Sequence, residues 1–295
     1  MAEENKVTIF YNHQYYYSFE HVMNADDRAF QFGDGCYEWI RVHKGHPFAL
    51  SYHVDRLYRS MRLLGIRAVI APDEFTEIHE IIAEENNLQE GYLMLVVTRG
   101  AGEHDFTVPG RMALTPNTLV YGRTLDMEAV ESAQKGVSCI TLPDERWPHC
   151  DILSLNMIPN IMDRAKALKK KAYDAIYVRD GLVTEATHSN LFIVKDGVVW
   201  TTKADNHLLK GITRQLIITR VAPTCSVTVI EPEAEHQLIT RERLESAEEV
   251  FLTNSMAGVI PVLSIDGKPV ADGKVGKVTA ALQKHYLHLL EDGLP

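Results

Sequence analysis

The sequence predicts a fold that mixes α-helices with β-strands and that divides into two domains. Short apolar runs, several of them joined by Asp-Gly, are typical of strands. Between them lie longer stretches whose apolar residues recur at helical spacing. The chain has 295 residues, of which 45% are hydrophobic and 24% are charged. This is enough for one large domain or two modest ones, and we expect an α+β or α/β protein.

The first third of the chain contains both kinds of element. Strands are predicted over residues 7–11, 35–42, 92–98 and 119–121. A helix over residues 53–64 ends at Gly65, and a second helix over residues 72–86 has Pro72 in its first turn. Glycine after a helix and proline at its start are common boundary signals, so these two limits are the best defined.

The remaining two thirds continue in the same manner. Hairpin turns are predicted at the Asp-Gly pairs of residues 180–181, 196–197 and 266–267. Strands are predicted over residues 137–142, 175–178, 182–184, 191–194, 198–200, 250–253 and 262–265, and helices over residues 156–171, 213–221 and 275–290. Residues 122–127 are polar and lack a strong pattern. We therefore predict a small N-terminal α/β domain of residues 1–121, a linker of residues 122–130 and a larger C-terminal domain of residues 131–295.

Composition argues against several classes of partner. The net charge is −10 and the basic run at residues 169–171 is short, so we expect no nucleic-acid binding. No apolar stretch is long enough to span a membrane, and residues 1–6 lack the apolar core of a secretory signal. The four cysteines show neither metal-site spacing nor a disulfide-rich pattern. Reduced thiols in the cytoplasm are the expected state.

Several short segments contain residues of a type suited to binding or catalysis. Arg56 follows an aspartate at the start of a predicted helix; a guanidinium suits phosphate, although alone it would be interpreted as a surface charge. Gly211, Ile212 and Thr213 precede another helix, where free backbone N–H groups bind anions, or Thr213 merely caps the helix. Glu185 lies between two apolar strands, which suggests a buried partner unless the side chain faces solvent in a turn.

The order of these motifs resembles that of class IV aminotransferases, the family of D-amino-acid and branched-chain aminotransferases, from about residue 12 to residue 285. The resemblance implies a two-domain fold type IV enzyme of the D-amino-acid aminotransferase kind, with pyridoxal 5′-phosphate (PLP) as cofactor and most cofactor contacts in the C-terminal domain. It also implies a homodimer that acts on a small amino acid or keto acid. By resemblance the cofactor-binding residues are Arg56, Glu185, Asn190, Gly211, Ile212, Thr213, Asn254 and Ser255.

The roles within that set also follow from the resemblance. Arg56 is expected at the phosphate, with backbone donors from Ile212 and Thr213 and a second phosphate-side loop at residues 252–262. Glu185 would pair with the ring nitrogen and keep it protonated, so that the ring remains an effective electron sink. Tyr37 would face the cofactor and help to position the substrate as a hydrogen-bond donor.

Position 153 departs from the family pattern. Residues 150–156 read Cys-Asp-Ile-Leu-Ser-Leu-Asn, and the family has a lysine where this chain has Leu153. In the family this lysine amine forms the Schiff base with PLP and transfers the substrate proton. Leucine has no amine and no titratable proton, so it can do neither.

The substrate side departs from the pattern as well. The family loop that binds the substrate carboxylate with arginine and histidine has His104 and Phe106 at the corresponding positions. Phe106 cannot bind a carboxylate and His104 does so in a pH-dependent manner. Arg41 is a possible substitute on a neighbouring strand, unless it lies on the outer face. His188 replaces a small hydroxyl residue in the glutamate segment, and Met256 completes the predicted substrate-binding set.

Three explanations of Leu153 compete. The leucine is an engineered replacement in an active transaminase, or a natural loss that altered the function, or another lysine (Lys166 or Lys210) reaches the cofactor. We favour natural loss, because the carboxylate loop and His188 have changed together with Leu153. The chain would then bind PLP noncovalently, with His188 or Tyr37 as a weak substitute base and with impaired transamination.

Two further functions remain open. The segment 252–262 is closer to aminodeoxychorismate lyases, whereas the Tyr37 segment is closer to D-amino-acid aminotransferases. A lyase would release pyruvate without an amino acceptor. A non-catalytic dimeric scaffold would not retain PLP.

Overall fold

The computed structural model describes residues 7–19, 23–108 and 114–294. Two compact units can be distinguished. The first comprises the described residues up to Asp126 together with Ile152–Asn156, and the second comprises Met127–Asp151 and the described residues from Met157 onward. The segment with Leu153 is thus part of the first unit. The division after Asp126 falls within residues 122–130, which the sequence assigns to a linker.

The first unit is an antiparallel sheet covered by helices. Its strands lie in the order β2-β1-β6-β5-β3-β4. In chain order the elements are β1 (Ile9–Tyr11), β2 (Gln14–Tyr16), α1 (Arg28–Phe32), β3 (Gly35–His43), β4 (His46–Pro47), α2 (Leu50–Leu64), α3 (Pro72–Glu85), β5 (Glu90–Thr98) and β6 (Asn117–Thr124).

Strand β3 presents two different faces because side chains alternate along a strand. Cys36, Ile40 and Val42 point into the core cluster that they form with residues of α2, α3 and β5. Glu38 belongs to the same face by alternation and is fully buried. Tyr37 and Arg41 belong to the opposite face. The first unit therefore buries one carboxylate on the helix side of its sheet.

The second unit contains a nine-stranded sheet of mixed direction. Its strands follow the order β12-β11-β10-β13-β14-β7-β8-β9, with β15 paired to β14. Its elements are α4 (Met127–Gln134), β7 (Val137–Pro143), α5 (Ile158–Lys169), β8 (Asp174–Arg179), β9 (Leu182–Ala186), β10 (Asn190–Lys195), β11 (Val198–Thr201), α6 (Ile212–Leu216), α7 (Ala222–Thr224), β12 (Val229–Ile230), α8 (Arg241–Glu245), β13 (Glu249–Asn254), β14 (Gly258–Ile265), β15 (Lys268–Pro269) and α9 (Lys277–Asp292).

The predicted strands and helices have counterparts in the structure, most with ends shifted by a few residues. Residues predicted as one helix over 213–221 form α6 and then a π-helical turn at Ile217–Val221. Within the predicted linker, residues 122–124 still belong to β6 and residues 127–130 to α4. Among the helices of the described ranges, none is both long enough and apolar enough to cross a membrane.

Candidate functional site

In the first unit, Arg56 is held by a buried carboxylate. Its Nε and Nη2 donate to the two oxygens of Glu38 at 2.8 and 2.7 Å. His53, one turn earlier on α2, places Nδ1 2.7 Å from Glu38 Oε2. Burial acts to raise the pKa of Glu38, but Arg56 and then His53 outweigh it and lower that pKa. The pair fixes the arginine as a planar fork in one orientation.

The segment around Leu153 is attached to β3 through its backbone. Tyr37 N donates to Leu153 O at 3.0 Å, and Leu155 N donates to Gly35 O at 3.1 Å. Gly35 must lack a side chain, because a Cβ there would lie 2.6 Å from Val97 O. Burial raises the pKa of Tyr37 to about 12, so its phenol stays protonated at neutral pH and can donate a hydrogen bond. The Leu153 side chain is half-buried and contributes only hydrocarbon.

The predicted substrate residues of the first unit separate into two groups. His104 and Phe106 contact Phe32, with ring centroids 4.6 and 5.5 Å from that ring, and Phe106 is 87% exposed. Arg41 is buried and forms an ion pair with Glu90 of β5. The Arg41 guanidinium is therefore already paired with a carboxylate that β5 supplies and that the linear pattern of β3 did not reveal.

In the second unit, Glu185 is buried, and both of its oxygens accept hydrogen bonds. Its Oε1 lies 2.7 Å from Arg146 Nη1, and its Oε2 accepts from Asn190 Nδ2 at 3.2 Å and from Leu209 N at 3.1 Å. Burial raises the pKa of Glu185 to about 7, against the opposing effect of Arg146. The buried partner suggested by the sequence is thus present, and a carboxylate that titrates near neutrality is a common feature of functional sites.

Arg146 is a residue that the sequence did not reveal. Its Nε and Nη2 donate to the two oxygens of Asp144, both at 2.9 Å, and its guanidinium lies 4.2 Å from the ring centroid of Tyr177. Burial acts to raise the pKa of Asp144, but the bonds from Arg146 outweigh it and lower that pKa to about 2. The available signal in the sequence was the Asp-x-Arg spacing of residues 144–146, which follow a predicted strand. This spacing became informative only when Glu185 was found to be the partner of Arg146.

Gly211 begins α6 and packs against Asn190. A Cβ at Gly211 would overlap Asn190 Oδ1, while Asn190 Nδ2 donates to Leu209 O at 2.7 Å. Gly211 has no side chain that could cap the helix, and the first N–H groups of a helix have no intrahelical acceptor. The backbone of Ile212 and Thr213 therefore presents donors suited to an anion.

The turn after β13 is ordered by Asn254. Its Oδ1 accepts from the backbone N–H of Met256 at 3.1 Å and of Ala257 at 2.8 Å. Its Nδ2 donates to Ser189 Oγ at 3.1 Å, which connects this turn to the loop after Glu185. Ser255 and Met256 are half-buried within the turn.

His188 lies in that same loop and is exposed. Its Nδ1 is 3.0 Å from Oδ2 of the fully buried Asp174. The second unit therefore brings together Glu185, Asn190, the start of α6 and the Asn254 turn through hydrogen bonds, with His188 in the connecting loop. In the first unit, Tyr37 and Leu153 are joined by a backbone bond, and Arg56 is paired with Glu38.

The residues present suit PLP. The Glu185 carboxylate matches a protonated ring nitrogen, and the donors of Ile212, Thr213 and Ser255 match phosphate oxygens. The glycine at position 211 keeps a side chain away from the start of α6. These groups offer both a ring partner and an anion site within the second unit.

Comparison with known proteins supports the same conclusion. Residues 35–265 match the model of the amino-transferase class IV family. D-alanine aminotransferase of Staphylococcus aureus (strain COL) is 34% identical over 285 residues, which cover 96% of this chain and 98% of that protein.

Two solved structures agree with the fold. The T.th. branched-chain amino acid aminotransferase with pyridoxamine 5′-phosphate is 25% identical, with a TM-score of 0.81 over 98% of this chain and 95% of the other. A putative 4-amino-4-deoxychorismate lyase from Legionella pneumophila is 26% identical, with a TM-score of 0.80 over 93% and 96%. The expected fold type IV architecture is confirmed, and the chain belongs to the class IV aminotransferase family, whose cofactor is PLP.

Proposed function

We propose that this protein binds PLP noncovalently and that Leu153 makes its transamination slow. The observation that carries the proposal is the buried Glu185, which is held between Arg146, Asn190 and Leu209 N beside the start of α6. Most groups expected at the cofactor remain, whereas the amine at position 153 is missing. The substrate would be a small amino acid or keto acid.

Each retained group has a separate task in this proposal. Arg56, the hydroxyl groups of Thr213 and Ser255, and the backbone N–H groups of Ile212 and Thr213 would hold the phosphate. Glu185 would hold a proton at the ring nitrogen, where the bound ring supplies an electron sink for the substrate. Tyr37 would donate a hydrogen bond to the substrate. Without a lysine base, proton transfer would lose a factor of about 10²–10⁴.

Another lysine is not part of this proposal. Lys166 is ion-paired with Asp163 at 2.7 Å on the exposed side of α5. The change at position 153 is accompanied by His188 and Phe106, which favours natural divergence of the chain over replacement of a single residue in an otherwise typical transaminase.

The proposal is tested by a PLP titration followed by visible absorbance after desalting. Thr213→Val deletes one hydroxyl from the proposed phosphate site, and Thr219→Val deletes an exposed hydroxyl from the π-helical turn that follows α6 as the matched control. A hydrogen bond to a charged group is worth about 1.5–3 kcal/mol, so the Kd should rise about 10–100-fold for Thr213→Val. No retention of PLP by the unaltered chain, or equal effects of the two variants, would contradict the assignment.

A lyase of the aminodeoxychorismate type is the second candidate. It is supported by the likeness to the Legionella protein and by the Asn254–Ser255 turn, whose residues resemble that subfamily. Pyruvate release in the absence of an amino acceptor would distinguish this activity from transamination.

We also propose that the protein is a cytoplasmic homodimer. Helix α5 exposes four large apolar side chains, which a second copy would cover: Ile158, Ile161, Met162 and Leu168. The free thiols of Cys36 and Cys139 are buried, as suits a reducing compartment. A non-catalytic scaffold remains distinguishable, because it would form the dimer but would not retain PLP.

A further inference from the structure

The hydrogen bonds that hold the Glu185 carboxylate determine which of its oxygens can accept another donor. Oε2 accepts from Asn190 Nδ2 and from Leu209 N, whereas Oε1 accepts from Arg146 Nη1. An ionised carboxylate offers roughly four acceptor positions, divided equally between its oxygens. Among the described residues, these contacts occupy both positions of Oε2 and one of Oε1. The ring nitrogen of PLP would therefore meet Oε1, the same oxygen that Arg146 contacts.

Arg146 is fixed on the side of its guanidinium that faces away from Glu185. Asp144 accepts from both Nε and Nη2 at 2.9 Å, and His207 O accepts from Nη2 at 3.3 Å. The guanidinium also lies over the Tyr177 ring. A planar fork cannot turn away from this position without losing both bonds to Asp144, so Nη1 stays directed at Glu185 Oε1.

The charges of this cluster balance only when Glu185 is ionised. The buried Asp144 is shared, because Arg179 Nη2 lies 3.1 Å from its Oδ1, beside the bonds from Arg146. Thr184 Oγ1 donates to Oδ2 of Asp144 at 2.8 Å. The arginines of the cluster thus match two carboxylates, Asp144 and Glu185. A protonated Glu185 would leave one positive charge in surplus, which is unfavourable away from water.

The other influences on Glu185 favour its neutral form. Burial is the largest of them and raises the pKa of Glu185 to about 7, and Asp144 also raises it, but by less than Arg146 lowers it. The Cys150 thiol interacts electrostatically with Glu185, but burial raises the pKa of Cys150 to about 11, so the thiol is uncharged at neutral pH. Arg146 is therefore the cation that opposes burial at Glu185.

We propose that Arg146, anchored by Asp144, is a positioning residue that directs Glu185 Oε1 and keeps it ionised, so that the proton between Glu185 and PLP lies on the ring nitrogen. A neutral Glu185 would carry this proton on its own oxygen and donate it to an unprotonated nitrogen. The number of protons is the same in both arrangements, and only the atom that carries the proton differs. A protonated ring is the better electron sink. The inference rests on the proposed function, because it needs PLP at Glu185.

The first test needs no cofactor and follows Glu185 by ¹³C NMR of protein labelled at the side-chain carboxyl carbons of glutamate. The Glu185 signal is identified by its absence from Glu185→Gln. Arg146→Met should raise the pKa of Glu185 from about 7 to about 8 or higher, because a nearby opposite charge lowers a carboxyl pKa by about 1–3. Arg179→Met removes the other cation bound to Asp144. It is the matched control and should titrate as the parent does.

Two further variants separate the charge of Arg146 from its contribution to folding. Arg146→Met combined with Asp144→Asn removes both members of the ion pair and leaves no unpaired carboxylate at position 144. The pKa of Glu185 should still rise in this double variant, because Asp144 affects it less than Arg146 does. Arg146→Lys keeps the cation but loses the planar fork. It should return the pKa of Glu185 part of the way to that of the parent.

The second test locates the proton in the PLP-loaded protein. With PLP labelled with ¹⁵N at the ring nitrogen, the parent should give the ¹⁵N shift of a protonated pyridine. The shift should move toward that of an unprotonated pyridine in Arg146→Met and should stay unchanged in Arg179→Met. A purely structural role of Arg146 would alter the amount of PLP retained but not the protonation of its ring.

The outcomes distinguish the inference from the proposed function. If the parent does not retain PLP, both the proposed function and the inference are wrong. If the parent retains PLP but Arg146→Met has the parent's pKa for Glu185 or the parent's ¹⁵N shift, the inference alone is wrong. If Arg146→Met does not fold or does not retain PLP, the double variant and Arg146→Lys are judged by the same criteria. A raised pKa of Glu185 together with a displaced ¹⁵N shift, absent from Arg179→Met, supports the inference.

Discussion

At the scale of single residues, Leu153 is placed by its backbone and not by its side chain. The bond from Tyr37 N to Leu153 O fixes the chain at this position and would be made by any residue. The side chain is half-buried, so a lysine could occupy the position without breaking a polar contact of leucine. Exchanging leucine and lysine at position 153 should therefore change the chemistry of the site without changing the stability of the segment.

Glu185 should make the stability of the protein depend on pH. Its pKa is raised by burial from 4.5 to about 7, so the unfolded chain releases this proton before the folded chain does. The stabilisation is complete below pH 4.5 and is lost as the pH rises through 7. At 1.36 kcal/mol per pKa unit, the loss is about 3 kcal/mol.

The measurement is urea denaturation of the parent and of Glu185→Gln at pH 5 and pH 8. Glutamine cannot ionise, so the parent should lose about 2.5 kcal/mol relative to the variant between these two values. Other titrating groups affect both proteins alike and cancel in the comparison. If the free energies of unfolding of the two proteins differ by the same amount at pH 5 and at pH 8, the pKa of Glu185 is not raised by burial.

The sequence was informative about some residues and silent about their partners. Residue type and motif order pointed to Glu185 and Arg56, because a carboxylate and a guanidinium each suit a particular part of PLP. Neither Arg146 nor Glu38 was identified, since their importance arises from tertiary pairs 39 and 18 residues apart. For the same reason the Asp174 partner of His188 was not foreseen.

At the scale of elements, the N-terminus of α9 is capped by a carboxylate from strand β13. Glu249 of β13 accepts from Val278 N at 3.1 Å and from Thr279 N at 2.7 Å. Gly276 precedes the helix, and a Cβ there would overlap the Glu249 carboxyl group. The negative charge also suits the positive end of the helix dipole.

Removal of this cap should destabilise the fold without affecting the proposed cofactor residues. Glu249→Ala is expected to lower the free energy of unfolding by about 1–2 kcal/mol, the range for a lost N-cap. Gly276→Ala should also be destabilising, because the added Cβ would overlap the Glu249 carboxyl group. The same substitution should cost less in a chain that already has Glu249→Ala. Additive effects in the double variant, measured by urea denaturation, would show that the two residues do not share this contact.

Long periodic elements were predicted well and short ones were not. The missed helices are short: α1 and α8 have five residues each, α7 has three and α4 has eight. Asp27 and Thr240 nevertheless cap α1 and α8 in the ordinary way. The predicted strand at 262–265 begins earlier, at Gly258. Pro261 argues against a central strand because proline has no N–H to donate. However, the pairing of β14 with β7 starts only at Val262, so that pairing does not require an N–H from Pro261.

At the scale of the whole molecule, the exposed apolar face of α5 predicts self-association. The protein should elute with twice the mass of its 33.3 kDa chain in size-exclusion chromatography with light scattering. Ile161→Asp places a charge on this face and should shift the mass toward one chain. Val275→Asp changes another exposed apolar residue and should not. A single-chain mass for the parent would contradict the homodimer.

The central claim is that the scaffold retains PLP although it lacks the amine at position 153. The most direct measurement is the visible spectrum after PLP addition and desalting, with borohydride reduction and mass spectrometry, for the chain and for Leu153→Lys. We expect both proteins to retain PLP, but only the lysine form to become covalently labelled and to transaminate faster, by about 10²–10⁴-fold. If neither protein retains PLP, the assignments of Glu185, Thr213 and Arg56 to the cofactor are wrong.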